Sequence, residues 1–144
     1  MGAEGVRGLA AVSYIHIVGK PGRACHIYWR SHRSKTCGPE ARVVAGVIDE
    51  LLGMGVEPVH ILLEYSLSRA DRVDIAVLQG RRVLLIECKP YRITRSHLVQ
   101  AQRYLDTARG RWPDRNPLVV LVAPSVDRSI PEPDGIAIIA VAAA

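Results

Sequence analysis

The chain of 144 residues contains no phenylalanine, and only 5% of its residues are aromatic. Its core must therefore be built from aliphatic side chains, which the hydrophobic content of 49% supplies. No apolar run approaches the roughly 18 residues that a membrane-spanning helix requires. Glu4 interrupts a short N-terminal apolar stretch that makes a poor secretory signal. We therefore expect a cytoplasmic protein without membrane association. Asn116 is the only asparagine, and scarcity of thermolabile amides is typical of thermophiles.

Cysteine is scarce as well, since only Cys25, Cys37 and Cys88 occur and no pair has C-x-x-C spacing. A disulfide scaffold is excluded by this count. Cys25 and Cys37 could be combined with His26 and His32 into a zinc site, but the spacing matches no usual zinc finger. A disulfide between Cys25 and Cys37 stays open for a hyperthermophilic source, with two free thiols as the default. Cys88 lies in an apolar run and is expected in the core.

Acidic residues are absent between Glu4 and Glu40, so the formal net charge of +5 is unevenly distributed. A basic segment of this kind favours a phosphate-rich partner, although a solubilising surface explains basicity alone equally well. The residues of this window that we predict to contact nucleic acid are Lys20, Arg23, Arg30, Arg33 and Lys35.

The length predicts one compact unit with an N-terminal attachment. Residues 12–30 alternate between apolar and polar side chains around a Gly-Lys-Pro-Gly turn, which favours a basic β-hairpin or arm. A polar stretch then links this arm to the main body. We therefore divide the chain into an arm over residues 1–37 and a core domain over residues 38–144.

The core begins with a predicted helix that follows Gly38-Pro39 and ends near Gly53 and Gly55. At roughly 100° per residue, Glu40 falls in line with the apolar stripe of this helix, whereas Asp49 lies on the opposite side. A helix-start acid stabilised by the helix dipole is the simpler explanation of Glu40. Its alignment with the stripe makes it a candidate functional residue.

The remaining elements are predicted from apolar patterning and turn residues. Three strands are followed by a helix, with Ser96 as N-cap and Gly110 as its end, and then by one or two buried strands. The strands are predicted over residues 59–66, 73–78, 82–89, 117–125 and 135–142. This order, αβββαβ, indicates an α/β protein with a mixed central sheet flanked by helices.

A hairpin turn at residues 79–81 would bring Asp74 beside the end of the next strand, which carries Glu87 and Lys89 on one side. Two neighbouring carboxylates repel each other unless a cation lies between them or one is protonated. Carboxylate oxygens are ligands that Mg²⁺ prefers. A Mg²⁺ at Asp74 and Glu87 with Lys89 beside it would suit metal-assisted phosphodiester hydrolysis.

Glu40, Asp74 and the Glu87-Cys88-Lys89 triplet on these elements resemble the PD-(D/E)XK nuclease superfamily, in which a helix glutamate and the D…ExK acids surround the metal. The resemblance implies a restriction-endonuclease-like fold and a Mg²⁺ cofactor that Mn²⁺ can replace. It also implies that Asp74, Glu87, Glu40 and the carbonyl of Cys88 hold the metal, while Lys89 positions the attacking water.

The segments 40–56 and 62–90, together with Gln100 and Tyr104, are more closely similar to the N-terminal nuclease domain of type I restriction endonuclease motor subunits. That family and the RecB-like nucleases carry a Gln-x-x-x-Tyr motif, which implies that Gln100 and Tyr104 shape the substrate side. Both residues lie away from the Leu98 and Leu105 stripe. Either the helix has two contacting faces, or the match is accidental and Gln102 lies nearer the core.

This sequence also departs from the families that it resembles. Val73 precedes Asp74 where the superfamily name has proline, a common variation. A helicase motor is absent from 144 residues, so we do not expect a complete type I subunit. The RecB-like CRISPR nucleases need four cysteines for an iron–sulfur cluster, and three scattered ones cannot supply it.

We therefore predict a stand-alone Mg²⁺-dependent deoxyribonuclease, with a homodimer as the route to paired cuts and a targeting or motor subunit as a further partner. An acid-free stretch after Glu87 contributes the further phosphate-binding candidates Arg92, Arg95 and Arg103. The alternatives are a Holliday-junction resolvase, and a nucleic-acid-binding subunit of the same fold without catalysis.

Overall fold

The computed structural model describes residues 38–141 in full and, before them, the backbone of three strands: Ile15–Val18 (β1), His26–Trp29 (β2) and His32–Thr36 (β3). β2 pairs antiparallel with both β1 and β3. β1 and β2 correspond to the hairpin that the sequence predicts. The stretch predicted as a linker instead contains β3, because backbone pairing with β2 makes a strand from a sequence without apolar periodicity.

A five-stranded mixed sheet forms the centre of the core, as predicted. Its strands are Ile61–Ser66 (β4), Arg72–Gln79 (β5), Arg82–Cys88 (β6), Leu118–Ala123 (β8) and Ile136–Ala140 (β10), and they lie in the order β10-β8-β6-β5-β4. The first three strands along the chain form an antiparallel meander, β8 pairs in parallel with β6, and β10 pairs in parallel with β8. Residues Pro58–His60 form a 3-10 turn, so β4 begins two residues later than predicted.

Two helices cover opposite faces of this sheet. Helix α1, Pro39–Gly53, buries Val44 and Ile48 in one apolar cluster, and helix α2, Arg95–Arg111, buries Leu105 in the other. The central strand β6 is apolar on both faces because it contributes to both clusters, with Leu85 toward α2 and Ile86 toward α1. Beside the main sheet, Arg92–Ile93 (β7) pairs in parallel with Ser125–Val126 (β9), a contact too short for the sequence pattern to reveal.

The boundaries of α2 differ from the prediction. Thr94, not Ser96, is the N-cap, and it forms a capping box in which the Thr94 backbone N–H donates to Nδ1 of His97 at 3.0 Å. At the other end the helix continues through Gly110, since the backbone N–H of Trp112 still reaches the carbonyl of Ala108 at 2.8 Å. Longer helical pairing at this end outweighs the preference of glycine for terminating helices.

The turn before β10 supplies a test of this packing. Gly135 has a φ of +83°, and a Cβ there would lie 2.8 Å from Cδ2 of the buried Leu105. Gly135→Ala should therefore lower the free energy of unfolding by about 1–3 kcal/mol. Gly110→Ala is the matched control, because its Cβ would meet nothing within 4 Å and should stabilise α2 by up to about 1 kcal/mol. Urea denaturation measures both, and equal stabilities for the two variants would contradict the described contact.

Candidate functional site

The site forms where β5 and β6 separate. Their last backbone pair is Ile75 with Ile86. Beyond this pair, hydrogen bonds from backbone to side chain take the place of the backbone hydrogen bonds between the strands. The backbone N–H of Asp74 donates to Oε1 of Glu87 at 3.3 Å, and the backbone N–H of Cys88 donates to Oδ2 of Asp74 at 2.8 Å. Each acid thus accepts a hydrogen bond from the strand of the other, which fixes both carboxylates at the mouth of the hairpin.

Both carboxylates are largely removed from solvent. Asp74 and Glu87 each retain 7% of their accessible surface, and Cys88 is fully buried in the core, as the sequence predicts. Buried acids are uncommon unless they are paired or bind a metal. The structure therefore brings together the hairpin pair that the sequence indicates.

Lys89 joins this pair from the end of β6. Its backbone N–H donates to the carbonyl of Val122 at 2.8 Å, so the chain is still held against β8 at this residue. Its ammonium lies 3.4 Å from Oε2 of Glu87 and 3.0 Å from Oε1 of Gln100. The ammonium is thereby held between a carboxylate of the sheet and an amide of α2.

Helix α2 has two contacting faces, which is the first of the two arrangements left open by the sequence. Gln100 reaches Lys89, and the Tyr104 hydroxyl donates to the carbonyl of Arg72 at 3.3 Å, at the start of β5. Tyr104 is 3% exposed. Gln102 instead bonds the exposed Asp106 one turn along the helix, at 3.0 Å. Gln100 and Tyr104 therefore face the site, while Leu105 packs on the sheet.

The electrostatics of the site follow from two acids and one base in a buried setting. Burial, followed by the charge of Asp74, raises the pKa of Glu87 to about 8 against the opposing effect of Lys89. Burial and then the charges of Glu87, Asp71 and Asp74 also raise the pKa of the Tyr104 phenol. Tyr104 is therefore a hydrogen-bond donor near neutral pH.

This donor set fits a hard divalent cation. Beyond the larger effect of burial, the charge of Asp74 raises the pKa of Glu87 by more than the charge of Lys89 lowers it, so one ammonium does not cancel the repulsion between the two acids. Within the described part of the chain, no three His, Cys, Asp or Glu side chains are grouped to hold a metal ion. Two carboxylates, supplemented by a backbone carbonyl and several waters, are nevertheless a usual set for Mg²⁺. The residues present therefore suit this ion better than Zn²⁺.

Glu40 lies in the first turn of α1 and is half-buried. Among the described residues, it does not form with Asp74 and Glu87 a group of three side chains close enough to bind one metal ion. Its helix, α1, packs on the sheet face opposite to α2, whereas Gln100 and Tyr104 approach from the α2 side. A metal-supporting role of Glu40 stays a prediction.

Glu64 is a further acid of the central sheet. It is half-buried within β4, with a φ of 52°, a left-handed conformation that is uncommon for glutamate. Its neighbours Leu63 and Tyr65 pair with Ile75 and Val73, which places its backbone level with Asp74. No sequence signal identifies this position, since the left-handed conformation depends on the pairing of two strands.

The predicted phosphate-binding residues are distributed over two regions. Arg92 and Arg95 are exposed beside the site, and Arg103 forms an ion pair with the buried Asp71 at 2.8 Å. Asp71 lies in the loop between β4 and β5, where its carbonyl accepts from the backbone N–H groups of Leu67 and Ser68, and its ion-pair partner 32 positions away could not be inferred from sequence. Lys20, Arg23 and Arg30 lie outside the described residues, and of Arg33 and Lys35 only the backbone within β3 is described.

No helix in the described part of the chain has both the length and the apolar character needed to cross a bilayer. No protein-family model matches the chain, and no curated protein matches its sequence.

Among solved structures, the chain is similar to that of a repair endonuclease from Pyrococcus abyssi, with a TM-score of 0.53 and 15% sequence identity. The similarity covers 90% of this chain and 66% of that structure, so this chain spans about two thirds of its length. At this identity the similarity concerns the fold. The predicted restriction-endonuclease-like fold is thereby confirmed.

The raised pKa of Glu87 predicts how stability depends on pH in EDTA. Between its ordinary value of 4.5 and about 8, the folded protein retains a proton that the unfolded chain has lost. The free energy of unfolding should therefore fall as pH rises through this window, by on the order of a few kcal/mol, and this contribution should level off above it. Urea denaturation at closely spaced pH values measures the slope.

Glu87→Gln should remove this part of the slope, because the amide does not titrate. Glu57→Gln, at an exposed position outside the site, should retain the slope of the unmodified protein. Identical slopes for the unmodified protein and Glu87→Gln would show that Glu87 is not held as described.

Proposed function

We propose that the chain is a metal-dependent deoxyribonuclease of the PD-(D/E)XK type. The observation that carries this proposal is the crossed pair of hydrogen bonds that holds Asp74 and Glu87 together, with Lys89 3.4 Å from the second oxygen of Glu87. A purely structural ion pair would need one acid, and the second makes the metal-free site less favourable. Two buried acids with one lysine are the groups that metal-assisted hydrolysis requires.

In this proposal Asp74 and Glu87 hold Mg²⁺, together with the carbonyl of Cys88. The ion, when bound, polarises the scissile phosphate and makes a coordinated water more acidic. Glu87 has one oxygen toward the backbone of Asp74 and the other toward Lys89, so it links the cation site to the lysine. The two acids therefore determine where a phosphate can bind.

Lys89 orients the attacking water by donating a hydrogen bond to it. An ammonium has three N–H donors, and the contacts with Glu87 and Gln100 account for two of them. The third can hold a water or a phosphate oxygen. Gln100 acts as a positioning residue for Lys89, and Tyr104 fixes the start of β5 through the Arg72 carbonyl.

The finer assignments are part of the same proposal. The juxtaposition of Gln100 with Lys89 supports the RecB-like branch to which the type I restriction nuclease domains belong. The name of the structural neighbour, a repair endonuclease, supports action on DNA. A homodimer would pair two such sites for cuts in both strands.

The proposal predicts Mg²⁺- or Mn²⁺-dependent cleavage of DNA. Glu87→Gln and Lys89→Ala should each lower the cleavage rate by at least about 100-fold, because each removes a group that acts on the metal or the water. The assay compares end-labelled single-stranded, duplex and four-way-junction substrates on denaturing gels. Glu57→Gln is the matched control and should cleave as the unmodified protein does.

Cleavage that survives in both Glu87→Gln and Lys89→Ala would falsify the site assignment. Selective cleavage of the four-way junction would favour a resolvase. If the protein binds metal and DNA but cleaves no substrate, the result would favour a nucleic-acid-binding subunit of this fold without catalysis.

Metal binding is predicted independently of cleavage. Isothermal titration with Mn²⁺ should give binding to the unmodified protein and to Glu57→Gln, and a loss of at least about 10-fold in affinity for Asp74→Asn and Glu87→Gln. Thermal unfolding gives a second readout, because a bound ion stabilises the folded state. Mn²⁺ should therefore raise the Tm of the unmodified protein and of Glu57→Gln, but not that of the two site variants. Unchanged Mn²⁺ affinity in both site variants would place the ion elsewhere.

A further inference from the structure

An exposed tyrosine closely follows the proposed catalytic lysine in the chain. Tyr91 follows Lys89 by two residues, so their Cα atoms are at most about 7 Å apart. Tyr91 is 68% exposed to solvent. Exposure alone is not unusual, because single exposed apolar residues are ordinary on protein surfaces. The position of Tyr91 on the connection between β6 and α2 distinguishes it, because both elements carry residues of the site.

The backbone that carries this ring is fixed. The carbonyl of Tyr91 accepts a hydrogen bond from the backbone N–H of Ser125 at 3.1 Å, and the next two residues form β7 against β9. Ile93, the second residue of β7, is fully buried. A ring on an anchored backbone loses little conformational freedom on binding, which favours its use as a contact surface.

The charge around Tyr91 is suited to a nucleic acid backbone. Arg92 and Arg95 are exposed, and the sequence contains no acid between Glu87 and Asp106. Asp127 directly follows β9 and is close enough to both arginines to be influenced by their charges. Hydrogen bonds from Ser129 chiefly lower the pKa of Asp127, and the charges of both arginines add to this effect. These two exposed arginines, with Lys89 nearby in the chain, supply positive charge that attracts phosphates.

We propose that Tyr91 stacks on an unpaired nucleobase of the strand whose phosphates contact Arg92 and Arg95. Aromatic side chains bind bases through their faces, and those faces are accessible in single strands but are covered by neighbouring base pairs in a duplex. The site therefore prefers single-stranded DNA, or a single-stranded segment beside a duplex. This inference rests on the proposed function, since Lys89 marks where that strand is cut.

The test separates stacking from phosphate binding. Fluorescence anisotropy in EDTA, where no cleavage occurs, gives the Kd for a labelled thymidine 12-mer and for a 12-mer of abasic sites with the same phosphates. Removing the bases should weaken binding to the unmodified protein. Tyr91→Ala should weaken binding to the thymidine oligomer by roughly 5- to 100-fold while changing the affinity for the abasic oligomer much less.

Matched variants control for the ring and the charge. Tyr91→Phe should bind as the unmodified protein does, because it keeps the ring. Met54→Ala should also bind normally, since Met54 is 75% exposed but lies beside Gln79 and Arg82, at the turn end of the hairpin and away from the site. Arg92→Ala should weaken binding to both oligomers by a similar factor and reduce the salt dependence.

Equal losses for the two oligomers in Tyr91→Ala, or no loss for either, would overturn the inference. A different result would overturn the nuclease proposal alone. In that case the unmodified protein with Mn²⁺ cleaves no DNA, while Tyr91→Ala still loses affinity for the thymidine oligomer and not for the abasic one. Cleavage that depends on Glu87 without a base-dependent effect of Tyr91 would remove only the stacking role.

Discussion

The exchange of hydrogen bonds between β5 and β6 is the interaction on which the site depends. At the point where the strands separate, the backbone N–H groups of Asp74 and Cys88 lose their cross-strand carbonyl partners, and the carboxylates of Glu87 and Asp74 accept from them. Buried N–H groups must be satisfied, so these acids are held by the needs of the backbone as well as by their own charges. The same contacts bury Glu87 beside Asp74, and burial followed by the charge of Asp74 raises the pKa of Glu87.

Helix α2 converts this pair of acids into an organised site. It packs on the sheet through Ala101 and Leu105, and its neighbouring face carries Gln100 to Lys89 and Tyr104 to the start of β5. The connection from β6 to α2 is short and anchored by β7, so the residues just after Lys89 lie beside the site as a consequence of topology. A single helix thus both covers one face of the sheet and supplies polar side chains to the site at the strand ends.

The fold was largely predictable because its signals are local. Apolar runs gave the strands, the Gly80 turn gave the hairpin of β5 and β6, and helical periodicity gave α1 and α2. The sequence pattern misplaced the N-cap of α2, because Ser96 and Thr94 are both good caps and only the reciprocal bond with His97 distinguishes them. It also missed β3, β7 and β9, whose strand character comes from their partners and not from their own residues.

By itself, the sequence determined that a short turn joins β5 to β6, and with it that Asp74 and Glu87 meet at the open end of the hairpin, because side chains alternate with period two. The register came from the structure, in which Gln79 pairs with Arg82 and the turn predicted over residues 79–81 is two residues long. Only the tertiary structure decided which face of α2 reaches Lys89, how Glu64 lies level with Asp74, and that Arg103 pairs with Asp71. These contacts join residues far apart in the chain. They depend on how helix and sheet pack in three dimensions, and no local pattern of residues records that packing.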